Sequence, residues 1–368
     1  MTNRRLERLR EKLDEHKLDA LFVSSPETAS PVNRRYLSGF TGTSAYLLIT
    51  RDDAVVATDF RYWEQAQQQA AGFRLHRAVG AMDAWLPAMF EGLGGRRLGF
   101  EAPHVSYQTF RVVRKAVQGL PEAHRPKLVA TARLIEGLRE VKDAEEVAAL
   151  QAAIDLGDAA FEDVAQRIEP GWTEKQVAWE IEKHIREHGG DGLSFDTLVG
   201  GGERGAMPHC YPTDRPLKKG EGVVIDMGVT LDGYMSDLTR TVYLGTPDDE
   251  FKRVYDVVLA AQQTAEQLVE AGMTGEQAHL LAQKVIEEAG HGDHFGHGLG
   301  HGVGLQIHEA PRLGPTSKDV LGEAMVFTIE PGIYLTGWGG VRIEDVVVLE
   351  DGRARLMSHA PKLTTMGA

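Results

Sequence analysis

Two aspartates lie eleven positions apart in a segment whose pattern predicts a β-hairpin. Asp226 ends an apolar, strand-like run, and Asp237 follows a predicted turn at residues 231–234. A hairpin would bring the two side chains together. Two close carboxylates repel each other at neutral pH unless a cation or a shared proton lies between them. A pair of separately solvated aspartates is the alternative that these residues alone leave open.

A glycine-rich segment supplies candidate imidazole ligands. Residues 295–304 contain five glycines, and five histidines fall within residues 291–308. Glycine costs backbone entropy in a helix or strand, but it lets a neighbouring backbone or a ligand approach closely. His301 is therefore a candidate metal ligand, with a loop histidine of no special role as the alternative.

Two glutamates follow further apolar runs. Glu330 ends such a run and is followed by the turn residues Pro331 and Gly332, while Glu344 alternates with Ile343 and can face inward on a sheet. A glutamate in an apolar strand is costly to bury unless it is paired or binds a metal. For Glu344, a surface ion pair with Arg342 is the alternative.

Four carboxylates and one imidazole together suit a pair of divalent cations. Oxygen-rich ligation with one histidine is compatible with Mn²⁺, Co²⁺, Zn²⁺ or Fe²⁺, and no thiolate set is available to select zinc. Two such metals would activate a water molecule and polarise a scissile carbonyl group. The predicted chemistry is therefore two-metal hydrolysis.

The elements that would position these residues form two domains. Helical periodicity over residues 6–16 and 106–118, together with a predicted hairpin of Ala45–Thr50 and Ala54–Thr58, indicates a small α/β domain. Later, two predicted helix pairs are each followed by glycine-rich strands, which suggests a duplicated α+β unit. We predict an N-terminal domain of residues 1–135 and a C-terminal domain of residues 140–368.

Bulk composition excludes several classes of protein. The formal net charge of −14 argues against binding to a phosphate backbone or to an anionic membrane. Cys210 is the only cysteine, so an intrachain disulfide and a thiolate metal site are excluded. No signal peptide is recognised, and the longest apolar runs are too short to span a membrane. We expect a cytoplasmic protein with no nucleic-acid or membrane partner.

Seven phrases of the sequence resemble one family. In order they are residues 208–209, 225–228, 236–241, 300–304, 308–309, 328–334 and 340–345. They look like the pita-bread metallopeptidases of the aminopeptidase P and prolidase branch, and residues 35–42 resemble the creatinase-type N-terminal domain. The resemblance implies an α/β creatinase-like domain followed by an α+β pita-bread catalytic domain.

By residue match, the resemblance also implies roles. The implied metal ligands are Asp226, Asp237, His301, Glu330 and Glu344. Three further histidines would steady the substrate carbonyl or the tetrahedral intermediate, namely His209, His297 and His308. Glu330 would carry a proton to the leaving imide nitrogen, and Arg342 matches a family arginine near the metals. The implied cofactor is two divalent ions per subunit, with Mn²⁺ favoured over Co²⁺ or Zn²⁺, and the family suggests a homodimer.

The implied substrates are peptides with proline in the second position. We lean towards a Xaa-Pro aminopeptidase. The alternative is a Xaa-Pro dipeptidase (prolidase), which needs a cation for the free carboxylate, and Arg312 is the candidate. A non-catalytic peptide-binding relative is disfavoured because all five ligand positions are filled. The complete ligand set likewise disfavours metal-free creatinase-like hydrolysis, and the N-terminal domain disfavours methionine aminopeptidase.

Overall fold

The computed structural model describes residues 2–362 and 365–366, and the chain divides into two compact units, Met1–Arg139 and Glu140–Ala368. None of the helices within these described residues is long and apolar enough to cross a membrane.

The first unit contains one mixed six-stranded sheet in the order β4-β3-β2-β1-β5-β6. Its strands are β1 (Ala20–Ser25), β2 (Ala45–Thr50), β3 (Ala54–Thr58), β4 (Arg74–Arg77), β5 (Arg97–Glu101) and β6 (Lys127–Thr131). Its helices are α1 (Thr2–Glu15), α2 (Val32–Ser38), α3 (Trp63–Gln69), α4 (Met82–Met89), α5 (Tyr107–Gly119) and α6 (Glu136–Arg139). The predicted hairpin is present, because β2 and β3 pair antiparallel.

The second unit begins with helices α7 (Ala144–Arg167) and α8 (Glu174–Glu187). Asp143 caps α7 through a reciprocal capping box with Glu146. The next strands are β7 (Gly192–Leu193), β8 (Leu198–Gly201), β9 (Gly222–Met227), β10 (Val229–Leu231), β11 (Tyr234–Met235) and β12 (Leu238–Leu244). Strands β8, β9 and β12 form an antiparallel sheet, and its apolar side chains share one buried core with helices α7 and α8.

A second helix pair follows, and it belongs to a different core. Helix α9 (Asp249–Leu268) is capped by Asp248, and α10 (Gly275–Glu288) is capped by Thr274. The strands that follow are β13 (Gly300–Gly302), β14 (Glu309–Leu313), β15 (Val326–Ile329), β16 (Gly332–Leu335), β17 (Gly339–Arg342), β18 (Asp345–Glu350), β19 (Arg353–Leu356) and β20 (Thr365–Met366). Strands β13, β15 and β18 lie in a five-stranded sheet whose apolar side chains pack with α9 and α10, while β16 pairs with β17 and β20 with β12.

Candidate metal centre

The candidate ligands lie in or beside strands of the two larger sheets of the second unit. Asp226 lies in β9 and Asp237 directly precedes β12, while His301 is the central residue of β13. Glu330 follows β15, and Glu344 lies between β17 and β18. A strand end places a side chain at the rim of a sheet while the strand itself stays buried. The two sheets therefore present their carboxylates to one place.

The glycines beside His301 have a steric function. Strand β13 pairs with β14 on one side and with β15 on the other. A Cβ atom on Gly300 would lie 2.0 Å from the Thr328 carbonyl oxygen, and one on Gly302 would lie 2.1 Å from that of Ala310. Only glycine fits between such close backbones. The glycine-histidine-glycine sequence thus holds the imidazole between two strands.

These side chains line one cavity of about 440 Å³. Every site residue predicted from the sequence borders it: His209, Asp226, Asp237, His297, His301, His308, Arg312, Glu330, Arg342 and Glu344. His291 and His294, the other two members of the histidine cluster, are not among its lining residues. Sequence reasoning missed the apolar and acidic part of the wall, which includes Phe195, Asp196, Leu198, Tyr211 and Ile307.

The protonation of His301 prepares its other nitrogen for a cation. Its Nδ1 lies 3.1 Å from the Gly302 carbonyl oxygen, an acceptor, so Nδ1 carries the proton and donates it there. The lone pair of Nε2 then faces carboxylate oxygens of Asp237 at 3.5 Å and Glu330 at 3.4 Å. Burial lowers the pKa of His301 to about 4, so the ring is neutral at pH 7. A neutral nitrogen opposed to carboxylates fits a shared metal ion.

The carboxylates lie close enough and deep enough to need a cation or a shared proton among them. Burial raises the pKa of Asp237 and Glu344 well above the ordinary range, and neighbouring carboxylates raise both further. Burial likewise raises the pKa of Asp226, and that of Glu330 to about 7. Oδ1 of Asp226 is buried and has no hydrogen-bond partner among the described residues. Ligand atoms of Asp237, His301 and Glu344 all lie within 4.8 Å of one another, close enough to hold one ion.

Two threonines orient the carboxylates, and sequence reasoning did not assign them a role. The Thr239 hydroxyl donates to Oε2 of Glu344 at 2.7 Å. The Thr328 hydroxyl donates to Oε1 of Glu330 at 3.2 Å and accepts from the His301 amide at 3.1 Å. Both threonines are buried in strands that are otherwise mainly apolar. A buried hydroxyl needs a hydrogen-bond partner, and that was the signal available in the sequence.

Arg342 connects the ligands to a second network. Only 4% of its side chain is exposed, and Nη2 donates to Oδ2 of Asp226 at 2.6 Å. Nε donates to the Thr239 hydroxyl at 3.0 Å, and Nη1 donates to the Tyr334 hydroxyl at 2.9 Å. The surface ion pair between Arg342 and Glu344 that the sequence left open is wrong, because both residues are buried and Arg342 pairs with Asp226.

His297 is fully engaged by the protein. Its Nδ1 donates to the Gly298 carbonyl oxygen at 2.8 Å, so Nε2 accepts the hydroxyl proton of Tyr334 at 2.9 Å. Burial is the main reason that the pKa of His297 is lowered to about 4. In this arrangement Nε2 is an acceptor and cannot donate to a substrate. His209 and His308 are exposed, by contrast, and His308 packs its ring 4.2 Å from that of His301.

Comparison with known proteins identifies the class of this site. The model of the family described as Metallopeptidase family M24 matches residues 148–351. The model of the Creatinase/Prolidase N-terminal domain matches residues 5–141. The chain therefore belongs to metallopeptidase family M24. It joins a creatinase-type N-terminal domain to a pita-bread catalytic domain, as the sequence predicted, and it is a metallopeptidase.

Several of the similar proteins are named as Xaa-Pro peptidases. A Xaa-Pro dipeptidase from Pyrococcus furiosus is 34% identical over 96% of this chain and 97% of its own length. The structure of a Xaa-Pro dipeptidase from Bacillus anthracis matches with a TM-score of 0.93 and 36% identity, covering 100% of both chains. An X-Pro aminopeptidase structure from Thermotoga maritima matches with a TM-score of 0.89 and 35% identity, covering 98% of this chain and 99% of its own.

Proposed function

We propose that this chain is a Xaa-Pro dipeptidase that cleaves the bond between the two residues of a dipeptide ending in proline. The similar dipeptidases support this assignment over the aminopeptidase favoured at first from the sequence. The observation that carries the proposal is the exposed guanidinium of Arg312 at the wall of the catalytic cavity. A substrate that ends at proline presents a carboxylate there, whereas a longer peptide continues as an amide.

The position of Arg312 suits a carboxylate ligand. Arg312 is the antiparallel register partner of His301, so its backbone is fixed beside a proposed metal ligand. Its side chain is exposed and forms no hydrogen bond or ion pair with any residue that the structure describes. Its amide is anchored to Asp319 at 2.9 Å. Arginine matches the planar geometry of a carboxylate with two parallel hydrogen bonds.

For the metal site, we propose that two divalent ions are held by Asp226, Asp237, His301, Glu330 and Glu344. When bound, the ions polarise the scissile carbonyl and make water a better nucleophile at neutral pH. We favour Mn²⁺, with Co²⁺ or Zn²⁺ as alternatives, because the ligands are mainly oxygen atoms. A homodimer and a cytoplasmic location remain expectations from the family resemblance and from the composition.

Residues of the chain then supply the proton transfer, the hydrogen bonds to the substrate and the orientation of the ligands. The Glu330 carboxylate takes the proton of the attacking water and delivers it to the imide nitrogen, so that the C–N bond breaks and free proline leaves. His209 and His308 lie exposed on the cavity wall, where they can donate to the carbonyl oxygen as charge develops. Arg342 orients Asp226, and His297 orients Tyr334. A donor role for His297 requires Tyr334 to turn away.

An aminopeptidase remains the second candidate, because the Thermotoga maritima relative is named as one. The deciding experiment compares kcat/KM of the metal-loaded protein for Ala-Pro and Ala-Pro-Ala. We expect hydrolysis of the dipeptide and at least tenfold weaker turnover of the tripeptide. Arg312→Gln should raise KM for the dipeptide and reduce this preference. Equal turnover of both peptides by the wild type would overturn the dipeptidase proposal in favour of the aminopeptidase.

A further inference from the structure

A loop beside the catalytic cavity begins and ends at one buried side chain. Residues 201–213 run from the last residue of strand β8 towards β9, and Glu174 is the first residue of helix α8. The Gly201 amide donates to Oε1 of Glu174 at 3.1 Å, and the Thr213 amide donates to its Oε2 at 2.9 Å. The two ends of the loop therefore meet on a single carboxylate, and closely spaced ends are typical of a compact Ω-loop.

The Glu174 carboxylate also supports the middle of this loop. Nε of Arg204 donates to Oε1 at 3.0 Å and to Oε2 at 3.1 Å, and the Thr213 hydroxyl donates to Oε2 at 2.7 Å. Nη2 of Arg204 then donates across the loop to the Tyr211 carbonyl oxygen at 2.7 Å. The Glu174 side chain is fully buried, and a buried charge is costly unless it is paired and hydrogen-bonded. The fold of the loop therefore depends on this carboxylate.

The loop carries part of the cavity wall that lies outside the proposed metal set. Pro208, His209 and Tyr211 line the cavity, while Glu174 and Arg204 do not border it. His209 is exposed there and is one of the two histidines that we propose as donors to the substrate carbonyl oxygen. Such a donor is effective when it is already aimed at the position where charge develops. The position of the loop backbone therefore matters for the action of His209.

Two further contacts hold the loop next to His209. Nη1 of Arg342 donates to the Pro208 carbonyl oxygen at 3.3 Å, and the Val199 amide donates to that of Cys210 at 3.2 Å. Both are longer than the amide contacts of Glu174, and neither joins the ends of the loop. Loss of the Glu174 carboxylate should therefore loosen the ends while these two contacts remain.

We propose that Glu174 is a positioning residue for the reaction and that it acts through the loop on His209. This inference rests on the proposed dipeptidase function, since that function assigns His209 to the substrate carbonyl. Within the described chain, Glu174 forms no hydrogen bond or ion pair with a proposed metal ligand. A change at Glu174 should therefore alter the aim of the histidine and leave metal binding unchanged.

The test is a double-mutant cycle of Glu174→Gln with His209→Ala, made in the metal-loaded full-length protein. Glutamine keeps the size of the side chain, but its amide group places N–H donors against the donors of Arg204 or Thr213. We measure kcat and KM for Ala-Pro, bound metal, and backbone hydrogen exchange in residues 201–213.

Two further variants complete the design. Arg204→Met removes the support across the loop but keeps both ends on Glu174, and 28% of the Arg204 side chain is exposed, so the variant should fold. Glu180→Gln is the matched control, because Glu180 lies on the same helix, pairs with Arg167 at 3.1 Å and does not line the cavity. The control should match the wild type in every measurement.

We expect Glu174→Gln to lower kcat for Ala-Pro about 10- to 100-fold, the cost of a misplaced catalytic group, with KM and bound metal nearly unchanged. In the His209→Ala background, the same change should lower kcat by less than about twofold, because the group on which it acts is absent. Arg204→Met should lower kcat in the same direction by a smaller factor. Hydrogen exchange in residues 201–213 should be faster in Glu174→Gln than in the wild type.

Wild-type kcat in folded Glu174→Gln, or an equal loss with and without the His209 imidazole, overturns the proposal and leaves the dipeptidase function intact. If Glu174→Gln does not fold, Arg204→Met replaces it in the same cycle, and the same two results overturn the proposal. A wild-type protein that hydrolyses no Xaa-Pro dipeptide would show that the proposed function is wrong. The role of Glu174 in the reaction then falls with it, whereas hydrogen exchange still decides whether Glu174 holds the loop.

Discussion

Arg342 and Asp226 are 116 positions apart in the chain, yet their side chains meet at 2.6 Å in the interior of the catalytic domain. The same guanidinium also bonds Thr239, which holds Glu344, and Tyr334, which holds His297. One planar group therefore fixes the orientation of two carboxylates and one imidazole at once. A substitution of Arg342 would remove the planar set of guanidinium N–H donors that makes these contacts.

We predict that Arg342→Lys lowers kcat/KM for a Xaa-Pro substrate by about 10- to 100-fold, the usual cost of losing a residue that orients metal ligands. Lysine keeps the positive charge but cannot bond three partners in one plane. Steady-state kinetics on the metal-loaded variant measures this effect. Arg355→Lys, at an exposed pair with Glu350, is the control. Wild-type kinetics in Arg342→Lys would contradict the role given to the fork.

Removing a proposed ligand should remove metal without unfolding the chain. We predict that Asp237→Ala and Glu344→Ala lose bound metal and activity, because each deletes a carboxylate of the proposed set. In the presence of a chelator, their thermal stability should equal or exceed that of the wild type, since burial and neighbouring carboxylates raise the pKa of both groups. Elemental analysis and thermal unfolding measure the two effects.

The control for this pair of variants is Asp249→Ala, at a side chain that is 91% exposed. It should retain the metal content and the activity of the wild type. Full metal content in purified Asp237→Ala or Glu344→Ala would refute the assignment of that residue as a ligand.

A buried ion pair supports the strand that begins beside His308. Lys142 Nζ lies 2.9 Å from Oε1 of Glu309, with 1% and 8% of the two side chains exposed. We predict that Lys142→Met lowers the free energy of unfolding by up to about 3–5 kcal/mol, because the Glu309 carboxylate loses a buried cation. Urea denaturation measures this cost. The double variant Lys142→Met with Glu309→Leu should recover much of the loss, and additive effects of the two changes would argue against direct coupling.

Asp158 gives the protein a stability that depends on pH. Burial raises its pKa to about 6, although the His359 amide donates to its Oδ2 at 2.6 Å. The folded state therefore binds this proton more tightly than the unfolded state, where the pKa is ~3.9. The resulting stabilisation is complete below about pH 4 and is lost as the pH rises through about 6.

We accordingly predict that Asp158→Asn, which resembles the protonated form, is nearly neutral at pH 4. Above pH 7 it should be more stable than the wild type by at most about 3 kcal/mol. Chemical denaturation of both proteins between pH 4 and pH 8 measures the difference. A difference that stays constant over this range would mean that Asp158 does not titrate as described.

The parts of the fold that follow from local rules were predictable. Helices α9 and α10 begin where Asp248 and Thr274 can cap them, and the strands β2 and β3 alternate across a short turn. Strands β4 and β6 were not predicted. Both are short and carry charged residues, and their pairing with β3 and β5 makes them strands. Propensity is a weak guide where distant pairing decides the structure.

The candidate site divides in a similar way. The ten site residues predicted from the family motifs all line one cavity. They did not reveal that Arg342 pairs with Asp226 rather than Glu344, because that choice depends on how two distant strands meet. Asp196 was missed because an exposed aspartate has no local signature. Thr239 and Thr328 stood within recognised phrases, but only coordinates show which carboxylate each hydroxyl reaches.

The proposed ligands are split between two sheets, each with its own helix pair and its own core. Neither half of the catalytic domain contains all the proposed ligands. Binding of metal therefore requires that both halves are folded and packed against each other. Chelation should consequently do more than abolish activity. Chelation should weaken the packing between the two halves of the catalytic domain. The rates of backbone hydrogen exchange in strands β9 and β13 should then both increase.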